Sequence, residues 1–362
     1  MAIRKYIGVV GGCGSVGTFI VDHLLNMRGC PDILIGGRRR FEETGLANRF
    51  RDRRLEYQQL DVGNGEELLR FCSRCFLIIN VVGPSAVVGD SVALCALDCG
   101  CHYVDVGGYG ALYSRLQPHA ERINAGHLCF LIGAGWMPGI SGIFAKATIL
   151  DNMERAENSV FKVYFGAVDD WSYSSTYDLV ASSMGDMNSY GYSYGKRVAA
   201  ASVKDMCCRR FACIGRKKIC VPSFDDQLAL LADSQPRIKG LSTYVMVNDF
   251  TSMCKFIALR AFYKGSMDRA TRMMQRDYKR LVDNEGKWGC VVCQTSQEGA
   301  ADTYRYLYTH DNMLYTAVTA VVTVQYLLKG RVKWGLNYLC DAVDCHLFMD
   351  DLGRYGIKAV AS

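Results

Sequence analysis

The sequence predicts an α/β protein: a doubly wound parallel sheet with an inserted α+β block, closed by a helical return at the carboxyl end. Three observations predict it. Over the first 132 residues, short β-branched runs alternate with helical stretches, which is the rhythm of crossover connections and of a sheet covered on both faces. A glycine-rich turn follows the first of those runs directly. After Gly135 the pattern shifts to longer amphipathic strands, and after Asp311 to helix.

Residues 6–10 read as the first strand and 15–27 as the helix behind it. Residues 32–35, 55–60 and 76–81 are further strands, the last two separated by a helix near 66–72. Residues 88–99 read as helix, 102–106 as strand, 111–125 as a helix interrupted at Pro118, and 128–132 as strand. Proline is favoured in a first helical turn, so a helix running to about Leu150 can begin at Pro138. In the middle block, 160–168, 211–221, 243–247, 288–295 and 303–309 read as strands of an antiparallel sheet, with 297–300 as a hairpin loop and 266–282 as a charged helix. The expected domains are 1–135 plus 311–362, and 136–310.

Composition narrows the function classes. A chain of 362 residues is about two domains long, and half its residues are hydrophobic, enough for sizeable cores. The net charge of +6 is spread along the chain, which favours an anionic small ligand over nucleic acid. The start of the chain reads straight into the glycine turn without a secretory leader, so its 17 cysteines are expected to be reduced, mostly buried, and cytoplasmic. The pairs Cys72/Cys75 and Cys290/Cys293 stand far apart and lack the second pair that zinc spacing requires, so no metal is expected. The apolar run 313–328 is broken by Tyr315, Thr316, Thr319, Thr323 and Gln325. It also falls short of the ~20 residues of a membrane span, so a buried helix is expected and no membrane partner.

Gly12-Cys13-Gly14-Ser15-Val16-Gly17 matches G-x-G-x-x-G between an apolar strand and a helix, the context this dinucleotide fingerprint requires. Gly12 allows the tight turn, Gly14 lets the backbone approach a pyrophosphate, and Gly17 lets helix and strand pack closely, while Ser15 and Val16 open a helix whose N–H groups face the phosphates. This is the opening of a Rossmann domain. The second strand then selects the cofactor. A carboxylate about 20 residues after the loop would bond a ribose 2′-hydroxyl. Here the strand ends in Gly36-Gly37-Arg38-Arg39-Arg40 without an acid. A guanidinium can take a 2′-phosphate through two parallel bonds, so the expected cofactor is NADP(H), with Arg38 on the phosphate and Arg39 or Arg40 assisting or facing solvent. Asp61, ending the third strand, can contact the adenine or cap the next helix.

Asn80-Val81-Val82-Gly83-Pro84, a helix with Cys95, and Gly100-Cys101-His102-Tyr103-Val104-Asp105-Val106-Gly107-Gly108 follow in order. This run resembles the NADP-binding domain of the saccharopine dehydrogenase family. The tail, with Thr316-Ala317, Leu327-Leu328-Lys329-Gly330 and Phe348 to Gly356-Ile357, is similar to that family's closing segment. The resemblance covers about 1–150 and 311–362. It implies a tail that returns to the Rossmann domain, a middle block that binds substrate and dimerises, a homodimer, and a nicotinamide lined by the backbone of Val82, Gly83 and Pro84. It also implies that Tyr103 and Asp105 lie near the cleft, where open α/β sheets bind ligands in any case. Gly108-Tyr109, in place of the family's Gly-Glu, and the segment Gly133 to Gly139 set the chain apart from saccharopine-forming members.

Tyr103, Asp105 and Tyr177 are the candidates for proton transfer. Asp105 can instead cap the following helix, and Tyr103 can be a core residue. Trp136 and Pro138, after the sixth strand, suit a wall of the nicotinamide pocket and Trp136 also a substrate contact, or they form an ordinary β-to-α turn. Asp170 and Ser174 lie in a hydroxyl-rich segment after a strand, fitted to substrate recognition or to helix capping. Tyr194 and Arg197 can close over a substrate carboxylate or belong to a surface loop. The expected activity is NADPH-dependent hydride transfer to a C=N bond formed from an amine and a keto or aldehyde substrate. The alternatives are reduction of a C=C or thiazoline in a natural-product intermediate, with a carrier protein as a possible partner, and a non-catalytic NADPH-binding regulatory protein.

Overall fold

Residues 5–49, 52–108, 110–184, 190–199 and 206–361 of this computed structural model are described. In chain order the strands of these residues are β1 (Tyr6–Val10), β2 (Asp32–Gly37), β3 (Leu55–Gln59), β4 (Cys75–Asn80), β5 (His102–Asp105) and β6 (Cys129–Ile132). Then come β7 (Ser159–Val168), β8 (Tyr190–Ser193), β9 (Lys196–Ala199), β10 (Cys207–Phe211), β11 (Arg216–Pro222), β12 (Gly240–Val247), β13 (Trp288–Gln297), β14 (Thr303–Thr309), β15 (Gly335–Tyr338) and β16 (Val360–Ala361). The chain divides into two compact units, Met1–Ile140 with Met313–Tyr355, and Ser141–Asn312 with Gly356–Ser362.

The first unit is built on a seven-stranded sheet in the order β15-β6-β5-β4-β1-β2-β3, with every neighbouring pair parallel. Successive strands step outward one way from β1 to β3 and the other way from β4 to β6, so the order reverses between β1 and β4. Ile7, Val9, Ile33, Leu34, Ile35, Leu77, Ile78 and Ile79 are wholly buried. Continuous apolar strands of this kind are what a sheet covered on both faces requires. The helix Ser15–Asn26 turns Ile20, Val21 and Leu24 inward.

The tail contributes more than helix. Its helix Asn312–Leu328 buries Ala317, Val318, Val321 and Val322 completely, and β15 then joins the sheet beside β6. No helix of the described residues is long and apolar enough to cross a membrane.

The sheet of the second unit is mixed. Its centre, β7, pairs parallel with β12 and antiparallel with β13, where the sequence suggested an antiparallel sheet throughout. Residues 211–221 are not one strand. β10 ends at Phe211 and β11 starts at Arg216, with Gly215 at φ +64° closing the turn between them. The turn residues Ala212, Cys213 and Ile214 are apolar, so the hydropathy pattern does not reveal it. The last residues also depart from expectation: β16 pairs antiparallel with β14, which places residues 356–361 in the second unit instead of the Rossmann unit.

Candidate functional site

The glycine loop fits a dinucleotide's pyrophosphate. A Cβ on Gly17 would lie 2.3 Å from the Gly11 carbonyl oxygen, and one on Gly12 would lie 2.9 Å from the Ile35 side chain. Only glycine allows the turn to fold this tightly onto the sheet. Gly14 occupies the N-cap of the helix Ser15–Asn26, and no side chain of the described residues caps it. Gly14 and Ser15 are exposed while Val16 is half-buried, so the first-turn N–H groups are left for an anion.

The basic turn after β2 is held from β3. The Tyr57 hydroxyl sits between the carbonyl oxygens of Gly37, at 2.8 Å, and Arg39, and burial pushes its pKa up to about 12. The Gln59 amide donates to the Arg38 carbonyl at 3.0 Å. The Arg39 guanidinium turns back and donates to the Cys13 carbonyl at 3.3 Å. Arg38 is exposed and lines a cavity of about 740 Å³ with Gln59 and Asp61. Asp61 accepts from the Gly63 N–H at 3.0 Å. It does not cap the next helix, because Asn64 accepts from the N–H groups of Glu66 and Glu67 in that role. Asn64-x-x-Glu67 is a capping-box pattern that the sequence already displays.

At the carboxyl end of β4 and β5, Asp105 is the centre of a buried network. One carboxylate oxygen accepts from the Asn80 amide at 2.9 Å and from the Tyr103 hydroxyl. The other accepts from the N–H groups of Gly107, at 3.0 Å, and Gly108. Asn80 also accepts from the Val82 N–H at 3.3 Å. Burial raises the Asp105 pKa against the pull of these donors, and burial together with the neighbouring carboxylate raises that of Tyr103 well above the ordinary range. Tyr103 is 0% exposed and Asp105 3%, so in this conformation neither reaches a substrate as a proton-transfer residue. They fix the loops on which Val82, Gly83 and Pro84, all partly exposed, can line a nicotinamide. The neighbouring Tyr109 lies outside the described residues.

The segment after β6 closes on itself. Gly135 donates to the Pro138 carbonyl at 3.1 Å and accepts from the Ile140 N–H at 3.0 Å. The following helix is Ile140–Leu150, so it begins two residues after Pro138 and not at it. Pro138 is buried. Trp136 is 3% exposed and meets Tyr315 edge-on at 5.1 Å. Its indole N–H is buried without a hydrogen-bond partner among the described residues.

In the second unit Asp170 is exposed, and Ser174 and Tyr177 are half-buried on the helix Tyr173–Met184. Tyr194 is half exposed at φ +48°, in the turn between β8 and β9. Arg197 is not a free clamp: it donates to the Tyr192 hydroxyl at 3.0 Å and stands 4.8 Å over the Tyr190 ring. Among the described residues no group of three His, Cys, Asp or Glu could hold a metal ion.

The parallel sheet reversing at β1 and β4, the uncapped glycine loop and the basic turn define the first unit as a dinucleotide-binding Rossmann domain. Residues 7–127 match the saccharopine dehydrogenase NADP binding domain family, and the cofactor is NADP(H). A "probable mitochondrial saccharopine dehydrogenase-like oxidoreductase" of Arabidopsis thaliana is 35% identical over 57 residues, 16% of this chain and 13% of that protein. The apo saccharopine dehydrogenase (L-Glu forming) of Saccharomyces cerevisiae is similar over 99% of this chain and 100% of its own, with a TM-score of 0.66 and 15% identity. At that identity the likeness is one of fold.

Proposed function

We propose that the protein is an NADPH-dependent oxidoreductase that transfers hydride to the C=N bond of an imine formed from an amine and a keto or aldehyde substrate. The observation that carries the reading is the pairing of an NADP-binding domain with a whole-chain fold similar to that of a saccharopine dehydrogenase. Bound at the glycine loop, the cofactor would supply the hydride. The chain's own part is to orient it. The first-turn N–H groups of Ser15, Val16 and Gly17 would hold the pyrophosphate and Arg38 the 2′-phosphate. The loops pinned by Asn80 and Asp105 would carry Val82, Gly83 and Pro84 to the nicotinamide, and the Trp136 N–H would donate to an acceptor on cofactor or substrate.

Asp170, Ser174, Tyr177 and Tyr194 are proposed to recognise the substrate, with Tyr177 as proton donor. The protein is further proposed to work as a cytoplasmic homodimer. The test is a screen of amine and keto-acid pairs, following NADPH absorbance. Oxidation that requires both partners supports the proposal, and oxidation by neither partner nor pair removes it.

A second reading has its own observation. The titratable pair at the carboxyl end of β5, Tyr103 and Asp105, is buried and self-satisfied, as suits a regulatory protein that binds NADPH without turnover. Tight NADPH binding with no turnover across the screen would favour it. The C=C or thiazoline reductase reading, with a carrier-bound substrate, predicts turnover only on an activated alkene or thiazoline.

A further inference from the structure

Carbonyls of exposed turns ordinarily face water. In the turn after β2, the carbonyls of Arg38 and Arg39 are instead within reach of side chains of the neighbouring strand, as is that of Gly37, the last residue of β2, which also accepts from the Leu60 N–H. The Tyr57 hydroxyl has one proton to give and lies between Gly37 O, at 2.8 Å, and Arg39 O, while the Gln59 amide donates to Arg38 O at 3.0 Å. Tyr57 and Gln59 are two apart on β3, so both project to the same side of the sheet. In register they stand beside Ile35 and Gly37 of β2. The guanidinium of Arg39 is spent on the Cys13 carbonyl of the glycine loop. A flexible arginine loses rotamer freedom when it binds, and a turn with a fixed backbone loses less than a mobile one. This bracing therefore leaves Arg38 as the arginine of the turn that lines the cavity, together with Gln59, Asp61, Arg70 and Arg74.

We propose that Tyr57 and Gln59 are positioning residues for cofactor selectivity. They hold the turn so that Arg38 meets the 2′-phosphate, while Arg39 ties that turn to the pyrophosphate loop. The proposal rests on the reading of Arg38 as the phosphate ligand. Neither residue touches the reacting atoms.

The test is calorimetric titration of the full chain with NADPH and with NADH. It covers wild type, Arg38→Ala, Tyr57→Phe, Gln59→Leu, and each of the last two combined with Arg38→Ala. The expected result is that Tyr57→Phe and Gln59→Leu each raise the Kd for NADPH about three- to tenfold and leave that for NADH within about twofold. In the Arg38→Ala background neither adds a further loss, because residues that act through one group are not additive. Equal weakening of both cofactors would mean general damage to the fold and overturn the proposal. So would full additivity with Arg38→Ala. If Arg38→Ala keeps the preference for NADPH, the reading of Arg38 itself fails and the positioning role falls with it. If Arg38→Ala loses the preference while Tyr57→Phe and Gln59→Leu keep it, only the positioning role fails. Gln59 is exposed, so Gln59→Leu carries the test if Tyr57→Phe does not fold.

Discussion

Asn80 and Asp105 are register partners on adjacent parallel strands, and the Asn80 amide donates to the Asp105 carboxylate at 2.9 Å. That pair joins the loop after β4 to the loop after β5. Asp105→Ala would strand the Tyr103 hydroxyl, the Asn80 amide and two backbone N–H groups without their acceptor. We predict a loss of about 3–5 kcal/mol in unfolding free energy, read by denaturant titration. A loss under about 1 kcal/mol would show that the network does not hold these loops.

Gly17→Ala tests the loop itself. Its Cβ would fall 2.3 Å from Gly11 O and 2.7 Å from Gly12 Cα, so backbone must move. The expected cost is about 1–3 kcal/mol of stability, with at least a tenfold weaker NADPH Kd as the helix N-terminus is displaced. Wild-type affinity in the variant would place the cofactor elsewhere.

Trp136→Phe keeps a ring against Tyr315 but removes part of the indole together with its buried N–H, for which the described residues offer no partner. The smaller ring leaves a cavity that lowers stability, and removal of an unsatisfied buried donor offsets part of that loss. The variant should therefore lose less than the about 3–5 kcal/mol of a full truncation, while binding cofactor or substrate less tightly. Unchanged binding of both NADPH and substrate would mean that the indole N–H donates to neither.

Asp225 gives a pH signature in the second unit. Burial raises its pKa to about 6, against hydrogen bonds from Gln227. The folded value lies above the unfolded one of about 3.9. Between those values the folded chain keeps a proton that the unfolded chain has released, so stability falls as pH rises from about 4 to 6. Asp225→Asn removes the titration and should flatten that fall, measured by unfolding at pH 4 and pH 7. Parallel curves for the two proteins would remove Asp225 as the cause.

Much of the Rossmann unit was legible because its signals are local. The residues of β1, the glycine motif and Arg38 can be recognised within 40 positions of one another. The strands Tyr6–Val10 and Thr303–Thr309 fall where the residue pattern puts them. What escaped is set by partners distant in sequence. Asn80 reads as the end of an apolar strand, and nothing in its neighbourhood reveals Asp105, 25 residues on. Tyr57 and Gln59 look like ordinary positions of a half-exposed strand until β2 is laid beside them. β15 is four residues long, Gly335–Tyr338, too short to show alternation. The self-pairing of Arg197 with its tyrosines depends on the β8–β9 register.

The cofactor that the first unit selects is tested most directly by titration of purified protein with NADPH and NADH, repeated on Arg38→Ala. A charge-assisted bond to a phosphate contributes about 1.5–3 kcal/mol. Wild type should therefore bind NADPH about ten- to hundredfold more tightly than NADH, and the variant should bind both near the NADH value. Equal affinities in wild type, or a preference for NADPH that survives Arg38→Ala, would contradict the account.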